Sequence, residues 1–452
     1  MRFDFITKPD AHFRELLQGA SVAFVLKALA AGLTFGFNVL VGRTLGADGA
    51  GLYFLSLTVV TIATVFGRVG LDNAVLRHIA TGAATSDWHS VQGVRRKALT
   101  LAFGASVVAG VATFLLAPWL SESLFSKPEL TRPVRWMTLA VVPMVFVILQ
   151  AEMLKGLKRI FASQLVHGVL VPGLALLGLY LLGTKYGVRG PIWAYTGAAV
   201  VSALVGLFFW WRSTPPFRIG GGHFPTRRLL DSSIPLFLVA STDLIMAWVG
   251  IFALGVWGTK ADVGVFSMAS RTALLISLVL IAVNTIAAPK FAALYGKSDM
   301  EALESTAVRS TWLMLAFASP VLILFLLIPG WVMGLFGPEF VVGAVPLMIL
   351  ALGQFVNVAT GSVAYLLMMS GHERLVRNNV AAAAILNVIL TVILVPIAGI
   401  VGAAIATAVS LAAKNLIAAY LVRSRLKVAT LRIQMPQLAG RRNEPDEGNL
   451  EP

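Results

Sequence analysis

Apolar stretches, each punctuated by a few polar residues, recur from one end of this 452-residue chain to the other. They mark candidate spans at 18–42, 48–70, 98–117, 134–153, 160–183, 189–211, 233–257, 262–288, 308–329, 344–369, 376–396 and 398–422. Each is long enough to cross a hydrocarbon core of about 30 Å as a helix of about 20 residues. Helix is the only regular structure open to them. Backbone polar groups find no water partners in lipid, and the runs are too long and too uniformly apolar for barrel strands. The connecting segments leave no room for a soluble catalytic domain of about 50 residues or more. The expected fold is an all-α integral membrane protein of about twelve transmembrane helices.

The two halves of the pattern resemble each other. AGLYF at Ala50–Phe54 is echoed by VGVFS at Val263–Ser267, and the same offset carries Arg77 onto Lys290. KGLKR at Lys155–Arg159 is echoed by SGHER at Ser370–Arg374, and GPIWAYTGAA from Gly190 by GIVGAAIATA from Gly399. Three echoes in the same order predict two pseudo-symmetric six-helix bundles. With an even number of spans in each, they are related by an axis along the membrane normal. The expected division is an N-terminal interfacial segment at 1–17, bundles at 18–211 and 233–422, a cytoplasmic linker at 212–232, and a partly disordered cytoplasmic tail at 423–452. Pro215, Pro216 and Gly220–Gly222 mark the linker. Residues 9–17 could form a short interfacial helix with Asp10 as its N-cap.

Composition agrees with lipid as the main solvent: 58% of residues are hydrophobic and 13% charged, against roughly a quarter charged in soluble domains. The formal charge of +15 would suggest nucleic acid in a soluble protein. Here the basic residues sit in short loops and predict topology instead. With the N-terminus inside, 26 Lys and Arg fall on the cytoplasmic side, 7 on the other and 3 within spans. The expectation is a multi-pass inner-membrane protein with both termini cytoplasmic and no nucleic-acid partner. A cleaved signal peptide is the alternative for the first apolar run. That run continues to Val41, past the about 7–15 residues of a signal core. The chain has no cysteine, which excludes disulfides and thiolate chemistry.

Polar groups inside spans are costly, so they carry the functional signal. Lys27, Thr34 and Asn38 share a stripe on the first span, and Thr61, Thr64 and Arg68 share one on the second. Asp243 lies in the seventh, and Ser270, Arg271, Ser277 and Asn284 in the eighth. Further stripes are Gln354, Asn357, Gly361 and Tyr365 in the tenth span and Thr407, Ser410 and Lys414 in the twelfth. Lys27, Asn38, Arg68, Arg271, Asn284 and Lys414 are the candidate lining of a substrate cavity. Asp243 is a candidate for ion coupling or a charge pair. The bland readings are real: Ser and Thr in membrane helices mostly bond to backbone or neighbouring helices, Lys27 and Lys414 could snorkel, and Asp243 with Arg271 or Lys27 could be a structural pair. If the charges share a cavity, it is net positive and favours an anionic substrate, phosphate or pyrophosphate foremost. No GxxxxGK[ST] phosphate loop, metal-binding histidine spacing or Ser-His-Asp arrangement is present, so no cofactor, metal or enzymatic activity is expected.

The segment GRTLGADGAGLYFLSLTVVTIATVFGRVGLDNAVLRHIA from Gly42 to Ala80 resembles the opening signature of O-antigen and polysaccharide flippases. Leu335–Asn357 and Gly399–Ser410 are similar to the C-terminal region of that family. The resemblance covers about residues 15–425. It implies two six-helix bundles packed as a V that opens alternately to each side. It also implies a polyprenyl-pyrophosphate-linked oligosaccharide as cargo for O-antigen, exopolysaccharide or capsule synthesis, with a glycan polymerase or glycosyltransferases as pathway partners. By helix rather than by motif, it places Lys27, Asn38, Arg68, Asp243 and Arg271 at the cavity. With twelve spans rather than fourteen, and without a dense arginine cluster on the first two helices, the chain departs from the lipid II flippase of the same superfamily. A cation-coupled multidrug exporter of that superfamily is the alternative function. A membrane glycosyltransferase, polymerase or ligase would need a carboxylate-bearing extramembrane loop that this chain lacks.

Overall fold

The computed structural model describes residues 11–215 and 224–431; residues 216–223 of the expected linker, Asp10 and the end of the tail lie outside them. Every regular element among the described residues is helical. The first half comprises α1 (Ala11–Arg68), α2 (Leu71–Ala84), α3 (Trp88–Pro118), α4 (Thr131–Met137), α5 (Val141–Gly156), α6 (Ile160–Gln164), α7 (Val171–Leu182) and α8 (Arg189–Ser213). The second comprises α9 (Thr226–Trp257), α10 (Lys260–Ala273), α11 (Leu278–Gly296), α12 (Met300–Leu327), α13 (Pro329–Gly334), α14 (Ala344–Ala359), α15 (Val363–Met369) and α16 (Glu373–Leu426).

Twelve crossings arise because two of these helices double back. Phe37 and Tyr53 are 16 residues apart on α1, yet their ring centroids are 6.0 Å apart; a straight helix would separate them by about 24 Å. The reversal is at Gly46, with φ 66° and ψ −175°, a backbone state open in practice only to glycine. The matching turn in α16 is at Gly399, φ 53°, and it brings Asn379 Nδ2 within 2.7 Å of the Lys414 carbonyl oxygen. Nine helices among the described residues are long and apolar enough to span a membrane, and the shorter apolar run Leu244–Trp257 of α9 adds one more crossing. The outer faces carry exposed large apolar side chains such as Leu115, Leu181, Leu204 and Ile397, as lipid contact requires.

Two elements differ from expectation. Residues 71–84, which the span pattern leaves in a loop, form α2. Its buried Leu71, Ala74, Val75, Ile79 and Gly82 make one helical face, too short and too polar elsewhere to read as a span. The helix that begins at Ala11 runs without a break into the first crossing, so no separate interfacial helix is set off there.

The apolar core shows how the halves meet. At the end where α1 turns at Gly46 (the far end), one cluster draws on both halves, from Val41 and Phe54 to Val263, Phe336 and Phe340. At the near end, where α1 and α16 terminate, the core divides. One cluster joins α2, α3, α5 and Trp210 to the start of α9, and another lies within the second half around Phe291, Leu303 and Val422. A single core at one end and two at the other describe a V closed at the far end.

Polar ties reinforce that closure. Arg43 Nε donates to the Leu335 carbonyl at 2.8 Å, and the Ala47 amide donates to Glu339 at 2.7 Å. Lys127 Nζ donates to the carbonyls of Phe125, Gly255 and Gly258 at 3.1, 2.7 and 2.9 Å. Lys260 pairs with Glu129 at 2.5 Å. Burial lowers the pKa of Lys127, with Asp262 opposing and Lys260 adding to the shift; its ammonium caps the last carbonyls of α9, where the helix dipole favours a cation. Across the near end, the start of α9 leans on the first half, with the Phe237 ring tilted against that of Phe66 at a centroid distance of 5.5 Å.

Candidate functional site

Arg271 lies 11 residues into the eighth crossing from Lys260, about 16 Å from the far end and so close to the bilayer midplane. Its side chain belongs to the second half but reaches a cavity of about 320 Å³ walled mostly by the first: Thr34 and Asn38 from one arm of α1, Tyr53 and Phe54 from the other, His167, and Tyr195 from α8. The guanidinium carbon stands 4.8 Å from the Phe54 ring centre and 5.8 Å from that of Trp248. Cation–π contact of this kind is worth about 2 kcal/mol or more when desolvated. It steadies the charge without neutralising it. Among the described residues no carboxylate lies within ion-pair distance of Arg271, and its Nε and the Tyr53 hydroxyl are buried without hydrogen-bond partners. Among the described residues the cavity wall thus carries one guanidinium and no carboxylate, and a guanidinium is a group suited to oxyanions.

His167 sits in a π-helical turn, Leu165–Leu170, between α6 and α7. The wider turn pushes residues out of α-helical register, as π-turns at functional sites do, and the imidazole faces the cavity. Tyr53 and Tyr195, half hidden in apolar stretches, complete the wall. Sequence reasoning passed over all three. His167 had a usable signal, being the only histidine within a candidate span.

A second cavity of about 200 Å³ lies inside the second half, between α11, α14, α15 and both arms of α16. Asn284, Asn357, Asn379, Asn415 and Lys414 line it. It opens where the tenth crossing breaks between α14 and α15 at Gly361, φ 77°. Ser362 donates to Asn284 Oδ1 across the break. Next to it, Ser277 Oγ donates to Gln354 at 2.5 Å and accepts from Asn357 Nδ2 at 3.3 Å.

The candidate residues from the sequence thus separate. Asn38 and Arg271 share the first cavity, and Asn284 and Lys414 share the second. Arg68 lines neither; at the near end of α1 it pairs with Asp72 at 2.9 Å, an i,i+4 contact. Lys27 also lines neither and is half-buried near the start of the first crossing. The side chain of Asp243 lies outside the described residues.

Twelve crossings in two bundles, with polar cavities at membrane depth, define a multi-pass transporter fold. It matches the inward-facing structure of a multidrug resistance MATE family transporter of the MOP superfamily at a TM-score of 0.70 and 19% identity, covering 90% of this chain and 98% of that one. A MOP superfamily transporter from Pyrococcus furiosus, described as having a binding pocket of reverse polarity, aligns at 0.66 and 17% identity over 91% and 95% of the two chains. The family model for polysaccharide biosynthesis proteins matches residues 16–295, and the chain belongs to that family. Over 421 residues it is 23% identical to the probable low-salt glycan biosynthesis flippase Agl15 of Haloferax volcanii, covering 92% of this chain and 85% of the relative.

Proposed function

We propose that this protein moves a polyprenyl-pyrophosphate-linked oligosaccharide across the inner membrane by alternating access, with the pyrophosphate drawn to Arg271. The carrying observation is the Arg271 guanidinium held between Phe54 and Trp248 in a midplane cavity, with no carboxylate beside it among the described residues. A fixed cation in a poorly hydrated chamber attracts a multiply charged head group, and the tyrosine and asparagine donors around it can bind phosphate oxygens. The flippase name of the Haloferax relative supports glycan cargo. The surplus of Lys and Arg in the near-end loops supports cytoplasmic termini, so the state closed at the far end is the one that loads from the cytoplasm. The family's role in polysaccharide biosynthesis supports a place beside glycosyltransferases or a polymerase, as O-antigen or other surface-glycan synthesis would require.

Reconstituted protein should carry a fluorescent polyprenyl-pyrophosphate glycan between leaflets of a proteoliposome. Arg271→Met should abolish that movement while the variant still inserts and folds. Full flipping by Arg271→Met, or efflux of cationic dyes with no glycan movement, would sink the proposal. The latter result would favour the multidrug exporter, to whose fold the chain is similar.

A further inference from the structure

The charge asymmetry that sets the topology breaks down at one corner of the protein. Seven Lys and Arg residues lie on the far side, where cations in short loops beside spans are disfavoured. Three of them serve the far-end seal: Arg43 holds the Leu335 carbonyl, Lys127 holds three carbonyls and Lys260 holds Glu129. The other four, Arg132, Arg135, Lys185 and Arg189, all belong to the first half, and none forms an ion pair among the described residues. The loops that carry them hold two acids. Glu129 is taken by Lys260, and Glu122 lies exposed in the π-helical turn that follows α3. Four cations thus stand against one unpaired carboxylate.

Two of the four are built into the surface. Arg135 lies on α4, Arg189 opens α8, and α4 packs against both α3 and α8. The Arg135 guanidinium carbon stands 5.0 Å from the ring centre of Phe114 on α3. That of Arg189 stands 4.3 Å from the ring centre of Trp136, the residue next to Arg135. A ring face steadies the plane of a guanidinium and adds no negative charge, so the group still calls for an oxyanion. Arg135 is half-buried and Arg189 is exposed. In addition, α8 begins without a capping side chain and without an acid in its first turn. The positive end of its dipole therefore adds to Arg189.

The surroundings select the partner. Both arginines stand where a crossing begins on the far side, which is the depth of lipid head groups. Leu139, one turn beyond Arg135, is 65% exposed, and Phe114 and Trp119 are 43% and 56% exposed. A soluble anion or an acidic protein would meet the cations and leave this apolar face unused. A phospholipid meets both. A zwitterionic head group brings a cation of its own, whereas an anionic one leaves net charge to offset the arginines.

We propose that α3, α4 and the start of α8 bind an anionic phospholipid of the far leaflet, with its phosphate at Arg135 and Arg189 and its acyl chains along Phe114 and Leu139. The lipid offsets charge that the topology disfavours, and it ties the first half to that leaflet. Neither arginine lines the Arg271 cavity, and the site does not rest on the cargo assigned above.

The test uses the full chain in nanodiscs of phosphatidylcholine alone or mixed with phosphatidylglycerol, with amide exchange read along the chain. Phosphatidylglycerol should slow exchange in α4 and the first turns of α8 by about fivefold or more, as an attraction of about 1 kcal/mol from one arginine would produce. The double variant Arg135→Gln with Arg189→Gln should lose that difference while exchange at the near end stays as in the natural chain. The pair Arg135→Lys with Arg189→Lys keeps the charges and should keep most of the protection. The comparison of the two bilayers needs no variant, so it decides the matter even if the glutamine pair misfolds. Inorganic phosphate added to phosphatidylcholine nanodiscs should not reproduce the effect. Equal exchange in the two bilayers, protection by inorganic phosphate alone, or protection that persists in a folded glutamine pair would each overturn the proposal.

Discussion

Gly51 and Gly264 occupy equivalent positions in the two halves of the sequence and touch each other in the fold. A methyl group on Gly51 would overlap the carbonyl oxygen of Lys260, and one on Gly264 would overlap that of Ala47. The second arm of α1 and α10 therefore cross with their backbones in contact, which only small residues allow. An internal repeat placed on a pseudo-two-fold axis brings its own equivalent residues together, and here it does so at the far-end seal.

Gly264→Val should force these helices apart and shift the protein away from the far-end-closed state. The natural chain has no cysteine, so a single Tyr53→Cys is a clean reporter; Tyr53 is 1% exposed in the closed state. An impermeant thiol reagent added from the far side should label Tyr53→Cys slowly in the natural background and at least about tenfold faster in Gly264→Val, as a shift of about 1.4 kcal/mol would produce. Equal rates would show that the crossing does not set the state.

Lys127→Met should loosen the same seal from the other side of the interface. It removes the donor shared by Gly255 and Gly258 of the second half. Each hydrogen bond from a charged group contributes roughly 1.5–3 kcal/mol, although Lys127 is partly solvated and the net effect should lie at the low end. Faster amide exchange at the end of α9, with little change elsewhere, is the expected result.

Arg271→Lys and Arg271→Met should differ. Lysine keeps the charge but loses the planar stack on Phe54 and the paired donors for phosphate. We expect flipping reduced roughly tenfold in Arg271→Lys and lost in Arg271→Met. No carboxylate partner is left unpaired among the described residues, so neither variant should melt at a much lower temperature. A large fall in melting temperature would indicate that Arg271 is structural.

Arg68 and Asp72 should behave as a local pair. A double-mutant cycle with Arg68→Ala and Asp72→Ala should yield a coupling of about 0.3–1 kcal/mol. Asp72→Ala should change flipping far less than Arg271→Met does. Equal transport defects would move Arg68 back into the substrate path.

Much of the architecture was legible in the pattern of residues. Twelve apolar runs fix twelve crossings because lipid admits only satisfied backbones, and the repeat announced two similar halves. The amphipathic α2 escaped notice because its buried face is short and carries no lipid-length signal. Polar stripes singled out Asn38, Arg271, Asn284 and Lys414, which the structure places on the walls of two cavities. They could not say which share one, since residues on a common helix face can lie 20 Å apart along its axis.

The order of hydrophobic and polar residues alone determined the solvent, the number of crossings and the duplication, because each depends on local run length and spacing. Tertiary structure alone decided that Arg271 crosses from one half into a cavity of the other, that Arg68 is claimed by Asp72, and that the Asn379 side-chain oxygen is buried without a partner. Those facts depend on contacts between segments far apart in the chain, and only packing in three dimensions sets such contacts.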